Sequence, residues 1–161
     1  MNIQEFHFVP DEYISQITDN IFLGSSLCLN DAAIESQQIL RDAGVTALIS
    51  LRRTREETPD FIYNLLWLPT VDDTPISKLS AHVAADFIER HVEFDKKVYI
   101  HCKLGHGRAP TTLASYFVLK KGFTPEEAVK FIQERRPEIH ILPSQMELLN
   151  SLFEDLTSKN S

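Results

Sequence analysis

The chain has few cysteines: Cys28 and Cys102 are the only two in 161 residues. Two cysteines make no disulfide framework, so a fold here must rest on a packed core. It is also short of positive charge. Lys and Arg total 16 against 23 Asp and Glu, giving a net charge of −7, and that balance argues against a nucleic-acid partner. No apolar run approaches the length of a membrane span. The opening Met-Asn-Ile-Gln-Glu-Phe-His-Phe lacks the basic start and long apolar stretch of a signal peptide. Internal repeats and low-complexity segments are absent. The His and Cys residues show no spacing that would complete a four-ligand zinc site, so neither a metal nor a cofactor is expected. These shortages predict a cytoplasmic, soluble monomer in a compartment where a thiol stays reduced.

What is present is an ordinary globular composition, 43% hydrophobic and 24% charged, in a length that suits one domain with a real core. Residues 1–12 read as an irregular arm. Tyr13 to Ile17 and Ile21 to Leu23 are short β-type runs about the turn residues Thr18-Asp19-Asn20. Asn30 or Asp31 caps a helix to about Ala43, with Ile34, Ile39 and Leu40 inward and Gly44 as its stop. The apolar run Val45 to Leu51 predicts a buried strand, and Ile62 to Leu68 another. Ser77 caps a helix to about Phe94 that presents Leu79, Val83, Phe87 and Ile88 on one face. A strand at 97–101 follows. A helix runs from Pro110, at its first position, to Lys121. Thr124-Pro125-Glu126-Glu127 is a capping box, and Ser144-x-x-Glu147 opens a last helix to about Leu156. Strands alternating with helices predict a mostly parallel α/β sheet, which binds ligands beyond the carboxyl ends of its strands.

One stretch carries chemistry: Val98-Tyr99-Ile100-His101-Cys102-Lys103-Leu104-Gly105-His106-Gly107-Arg108-Ala109-Pro110. It reads as strand, tight loop, helix. Such a loop aims backbone N–H groups into a concavity, and the helix adds its positive end. Gly105 and Gly107 allow backbone angles that a Cβ resists. Arg108 brings a planar fork that matches two phosphate oxygens. A cysteine in that field is expected to ionise near neutral pH, and a thiolate facing a phosphoryl group implies in-line attack.

His101-Cys102-x-x-Gly105-x-Gly107-Arg108 resembles the signature of the cysteine-dependent protein tyrosine phosphatases, in particular the small dual-specificity branch. Ile21-Phe22-Leu23-Gly24-Ser25 resembles an early strand of the same branch. The resemblance implies a single-domain α/β tyrosine-phosphatase-like fold over about 13–157, with a central sheet of four or five mostly parallel strands flanked by helices. It implies Cys102 as nucleophile and Arg108 as phosphate clamp, with the amides of Lys103, Leu104, Gly105, His106, Gly107 and Arg108 as cradle and His101 as support for the thiolate. The family carries Ser or Thr after the Arg, where its hydroxyl helps the sulfur leave; this chain has Ala109, and Thr111 or Thr112 is the nearest substitute.

A leaving alkoxide needs a proton. Asp72 and Asp73 both precede the Cys on a loop between strand and helix, and Leu68-Pro69-Thr70-Val71-Asp72 aligns best with Asp72 as the acid. That stretch is also similar to the branch that dephosphorylates phosphatidylglycerophosphate. Gln145 stands where the family often has a Gln near the site, either to position water or to cap the last helix. Lys103 and His106 are candidates for a second anionic group on the substrate. Arg52, Arg53 and Arg55 are candidates for a further phosphate or an acidic peptide, but Glu56 and Glu57 beside them favour a self-neutralised loop. His7, His82, His91 and His140 read as ordinary histidines, and Cys28 as structural. The expected activity is hydrolysis of phosphoric monoesters, first of phosphotyrosine, phosphoserine or phosphothreonine in proteins. An anionic phospholipid headgroup, phosphatidylglycerophosphate or a phosphoinositide, is the alternative substrate. A phosphate-binding module with very slow turnover is the alternative class, encouraged by Ala109.

Overall fold

A computed structural model describes residues 13–28 and 33–159; the predicted arm at 1–12 and the capping residues Asn30 and Asp31 lie outside them. The elements in chain order are β1 (Ile14–Gln16), β2 (Ile21–Gly24), α1 (Ala33–Ala43), β3 (Val45–Ser50), β4 (Asn64–Trp67), α2 (Lys78–Glu93), β5 (Lys97–His101), α3 (Arg108–Lys121), α4 (Pro125–Arg135) and α5 (Pro143–Lys159). One five-stranded sheet has the order β1-β2-β5-β3-β4. Only β1 runs against its neighbour; β2, β5, β3 and β4 are parallel. The predicted α/β architecture is the observed one.

Side chains alternate across the sheet. On β5, Val98 and Ile100 face a core built with Leu113, Tyr116 and Leu149, while Tyr99 faces a second core with Leu40, Leu48 and Phe61. α3 is buried along one side of the sheet from Arg108 to Val118. Its neighbour α2 meets it largely through small residues: Ala81, Ala84 and Ala85 are buried, Ile88 and Phe87 pack on the core as predicted, and Leu79 and Val83 are exposed. This corrects the predicted apolar face, because alanines let two helix axes approach where leucines hold them apart. α1 differs likewise. Leu40 is buried, but Ile34 is exposed and Ser36 takes an inward place. α3 starts two residues earlier than predicted, so Pro110 is its third residue. A proline is tolerated there because the first four N–H groups of a helix have no intrahelical partner. The Thr124–Glu127 capping box is formed on both sides.

The four parallel strands end in register. Gly24 is opposite His101, His101 opposite Ser50, and Ser50 opposite Trp67. The loops after β5, β3 and β4 therefore leave from one edge of the sheet, and the central strand delivers Cys102 to the middle of it.

Candidate active site

The segment 102–107 links β5 to α3 as a tight loop, and its carbonyls define its shape. His101 Nδ1 donates to the Cys102 carbonyl at 3.0 Å, and Ser26 N–H donates to that of Lys103 at 3.0 Å. Arg136 donates to Leu104 O through Nη2 and to Gly105 O through Nε, each at 2.9 Å. His140 N–H donates to His106 O at 2.6 Å, and the Thr111 N–H and hydroxyl both donate to Gly107 O. Every carbonyl from Cys102 to Gly107 is thus held toward the protein. The peptides are trans, and in a trans peptide the N–H points opposite to the carbonyl before it. The N–H groups of 103–108 must then point the other way, into the concavity. Those of Lys103, Leu104, Gly105, Gly107 and Arg108 donate to nothing else among the described residues. A ring of inward N–H groups at a helix N-terminus is an anion nest.

The two glycines serve this loop differently. Gly105 has φ +75°, and a Cβ there would sit 2.5 Å from the Gly24 backbone; both facts demand glycine. Gly107 has φ −129°, which any residue adopts. This corrects the expectation for Gly107: a Cβ there would meet Gln145 Nε2 at 3.4 Å, an ordinary contact, so neither angle nor space demands glycine.

Arg108, 4% exposed, donates from Nη1 to the carbonyls of Thr70 at 2.9 Å and Leu51 at 3.3 Å. Leu51 is itself tied to the central strand by its N–H to His101 O at 2.9 Å. That anchorage leaves Nε without a hydrogen bond, 3.3 Å from Asp72 Oδ1. Asp72 is largely exposed on a turn in which Thr74 binds back to Val71 O and Asp73 takes φ 61°. Asp72, Asp73, Cys102, Lys103, Leu104, His106, Gly107, Arg108 and His140 line one pocket of about 250 Å³. The structure brings both acid candidates, the thiol and the guanidinium together.

The supporting residues sort by what they touch. Burial pushes the His101 imidazole below its ordinary range, aided by the cations Arg52 and Arg108, so the ring is neutral and its Nδ1–H serves the Cys102 carbonyl. His101 stacks on Tyr99, whose hydroxyl donates to Ser25 O. Gln145 is 1% exposed; its Oε1 accepts from Leu142 N–H at 2.9 Å before α5, and its Nε2 is buried without a partner. The predicted cap is real, and the amide nitrogen beside Gly107 is left over. Ala109 is fully buried. Neither Thr111 nor Thr112 replaces its missing hydroxyl. Their own hydroxyls are bound to Gly107 O at 2.8 Å and Arg108 O at 2.9 Å. Arg52 pairs with Glu56, which also accepts from Ser26 Oγ, but Arg53 and Arg55 make no ion pair among the described residues, so the expected self-neutralisation of the loop holds at Arg52 alone. Cys28 is free and exposed, and its thiol donates to Glu57 O at 3.7 Å.

Two site residues escaped the sequence. Arg136 has no exposed surface, yet it holds Leu104 O, Gly105 O and Ser15 Oγ at once. In sequence it stands between Arg135 and Pro137 at a helix end and reads as solvated charge. His140, read as ordinary, reaches the pocket wall through its bond to His106; only its place five residues before Gln145 hinted at this.

Residues 26–155 match the family described as dual specificity phosphatase, catalytic domain. The chain is similar to the phosphatidylglycerophosphatase and protein-tyrosine phosphatase 1 of Mus musculus, 35% identical over 95 residues, 58% of this chain and 49% of that protein. It is 33% identical over 101 residues to the dual specificity protein phosphatase 5 of Homo sapiens, covering 62% of this chain and 26% of that one. The chain thus spans about half the length of the first relative and a quarter of the second. The crystal structure of PTPMT1 in complex with PI(5)P superposes with a TM-score of 0.79 at 25% identity, covering 92% of this chain and 99% of that chain.

Proposed function

The chain belongs to the dual specificity phosphatase catalytic-domain family, and we propose that it hydrolyses phosphate monoesters through a cysteinyl-phosphate formed on Cys102. The phosphoryl oxygens sit in the ring of loop N–H groups and on the free side of the Arg108 guanidinium. Cys102 Sγ attacks phosphorus; the S–P bond forms as the P–O ester bond breaks, and Asp72 gives its proton to the departing oxygen. Water then attacks phosphorus, its proton passes to Asp72, and the sulfur leaves as thiolate. Charge that develops on the equatorial oxygens meets donors already in place, the arrangement that lowers such barriers most. The observation that carries this reading is the outward anchoring of all six carbonyls from Cys102 to Gly107. Asp72 is preferred to Asp73 as the acid because its carboxylate already reaches the Arg108 guanidinium.

The substrate we favour is an anionic phospholipid headgroup that bears a terminal monoester, as phosphatidylglycerophosphate does. Support comes from relatives named for that substrate, alone or together with protein tyrosine, and from Lys103, His106 and His140 on the pocket wall, which offer cationic and imidazole groups to a second anionic group of the substrate. A phosphorylated protein is the second reading, supported by the likeness to protein phosphatases. The first test is release of p-nitrophenol from its phosphate ester by wild type and by Cys102→Ser. Wild type is expected to turn over and Cys102→Ser to be inert; equal activity would end the cysteine mechanism, and a silent wild type that holds phosphate would mark a binding module. Phosphatidylglycerophosphate and a panel of phosphopeptides, compared by kcat/KM, then decide the substrate class.

A further inference from the structure

The face around the pocket sets exposed apolar side chains beside exposed cations. Three exposed apolar side chains stand on it: Leu104 on the loop after β5, Val71 on the acid loop, and Trp67 at the end of β4, 55%, 51% and 38% exposed. Trp67 is the only tryptophan in the chain, and its indole N–H is tied to Arg52 O at 2.8 Å. Exposed cations accompany them. Arg53 and Arg55, on the loop after β3, and Lys103, beside the cysteine, make no ion pair among the described residues. The acids on this face are few or engaged: Glu56 is bound by Arg52, and Asp72 lies against Arg108. Glu57 and Asp73 are the exposed acids left on these loops. So a chain of net charge −7 presents, at this one edge, three exposed cations without an ion pair against two such acids, with aromatic and aliphatic groups between.

We propose that this edge seats on an anionic lipid bilayer, with Val71, Leu104 and Trp67 entering the interfacial layer and Arg53, Arg55 and Lys103 on the headgroups. The inference rests on the phospholipid reading of the substrate. Two points favour a bilayer over a protein partner. Interleaved cationic and apolar side chains are what a charged lipid surface binds, and tryptophan prefers the headgroup level. The seating is continuous with the pocket, so a headgroup reaches Cys102 without leaving the surface.

The test uses the inert Cys102→Ser chain and vesicles of phosphatidylcholine with phosphatidylglycerol, which carry no monoester. Binding is therefore read apart from chemistry, and hydrolysis of p-nitrophenyl phosphate is measured separately. On binding, the Trp67 emission is expected to shift to the blue, and added salt to weaken the binding. Replacing both arginines, Arg53→Gln with Arg55→Gln, is expected to weaken it about 30-fold, from ~1 kcal/mol per basic residue at an anionic surface. Val71→Ser is expected to weaken it about tenfold, the value of one buried aliphatic side chain. In the active chain the two arginine substitutions leave p-nitrophenyl phosphate turnover unchanged. No emission shift with phosphatidylglycerol vesicles, or equal binding to pure phosphatidylcholine, overturns the proposal. So does a chain that sediments as a dimer and becomes monomeric on Val71→Ser, because the edge then belongs to a second copy.

Discussion

Arg136 should control catalysis without touching a substrate. Its guanidinium holds the Leu104 and Gly105 carbonyls, each at 2.9 Å, from a fully buried position. If it lets go, those two peptides are free to turn, and the N–H groups of Gly105 and His106 leave the concavity with them. Arg136→Lys keeps the charge but replaces a planar fork with a single ammonium, which cannot serve both carbonyls in the same geometry. One buried carbonyl then loses a charge-assisted partner, which costs about 1.5–3 kcal/mol. Near ~2 kcal/mol, a chain of this size melts roughly 4–8 °C lower. The catalytic loss is separate. Removing a single preorganised oxyanion donor elsewhere costs about 10²–10³ in rate, so a fall on the order of 10²-fold in kcat/KM is expected.

The assay is p-nitrophenyl phosphate turnover well below the variant's melting midpoint, beside the affinity for inorganic phosphate. Ser15→Ala is the control. Ser15 Oγ accepts from Arg136 Nη1 at 3.0 Å, so this change disturbs the same guanidinium but frees no loop carbonyl. Ser15→Ala should lower the midpoint and leave kcat/KM alone. If Arg136→Lys also melts lower yet keeps wild-type kcat/KM and phosphate affinity, the loop does not need the clamp and the carbonyl argument is refuted.

Other substitutions probe the remaining groups. Asp72→Asn should cut kcat about 10²–10⁴-fold on phenyl phosphate, whose leaving group needs a proton, and less on p-nitrophenyl phosphate; Asp73→Asn should do neither, and the reverse pattern would transfer the acid role to Asp73. The His101 ring lies below its ordinary range through burial, so its stabilising contribution is complete above about pH 6.5 and is lost as pH falls toward the folded value, because the unfolded chain takes the proton more readily. Melting midpoints measured from about pH 7 down to 5 should therefore fall less steeply in His101→Asn than in wild type, and parallel slopes would dismiss the buried neutral ring. With Ala109 buried and the Thr111 and Thr112 hydroxyls engaged, no hydroxyl of that first turn is free to assist the departing sulfur. Wild type should show a burst of p-nitrophenol before a slow steady state. One hydrogen bond to the leaving sulfur is worth about a factor of ten, so Ala109→Ser should raise the steady rate by about that much; a linear trace and no gain would show that hydrolysis of the phosphocysteine is not limiting.

Much of this site was legible in the sequence because its reacting groups are chemical types that mark themselves. A cysteine, an arginine six residues on and a strand-to-helix transition announce a nest, and the register of Gly24, His101, Ser50 and Trp67 puts it at the expected edge. The periodic elements were legible for the same reason: β3 and β5 are apolar runs, and the Thr124 capping box is local. The apolar faces of α1 and α2 were not, since which stripe is buried depends on what packs there; beside α3 the alanines of α2 win over Leu79 and Val83.

The groups that shape the loop were illegible for a deeper reason. They act on main-chain carbonyls, and a carbonyl is the same acceptor in every residue. Nothing in the types Leu104 and Gly105 calls for an arginine 31 or 32 positions away, nor does His106 call for the backbone of His140. The side chains of the loop set its chemistry, while distant donors to its backbone set its geometry. A sequence with Cys102, Arg108 and both glycines intact but without the donors at 26, 136 and 140 would still carry the motif, and by this argument it would not hold the N–H groups inward.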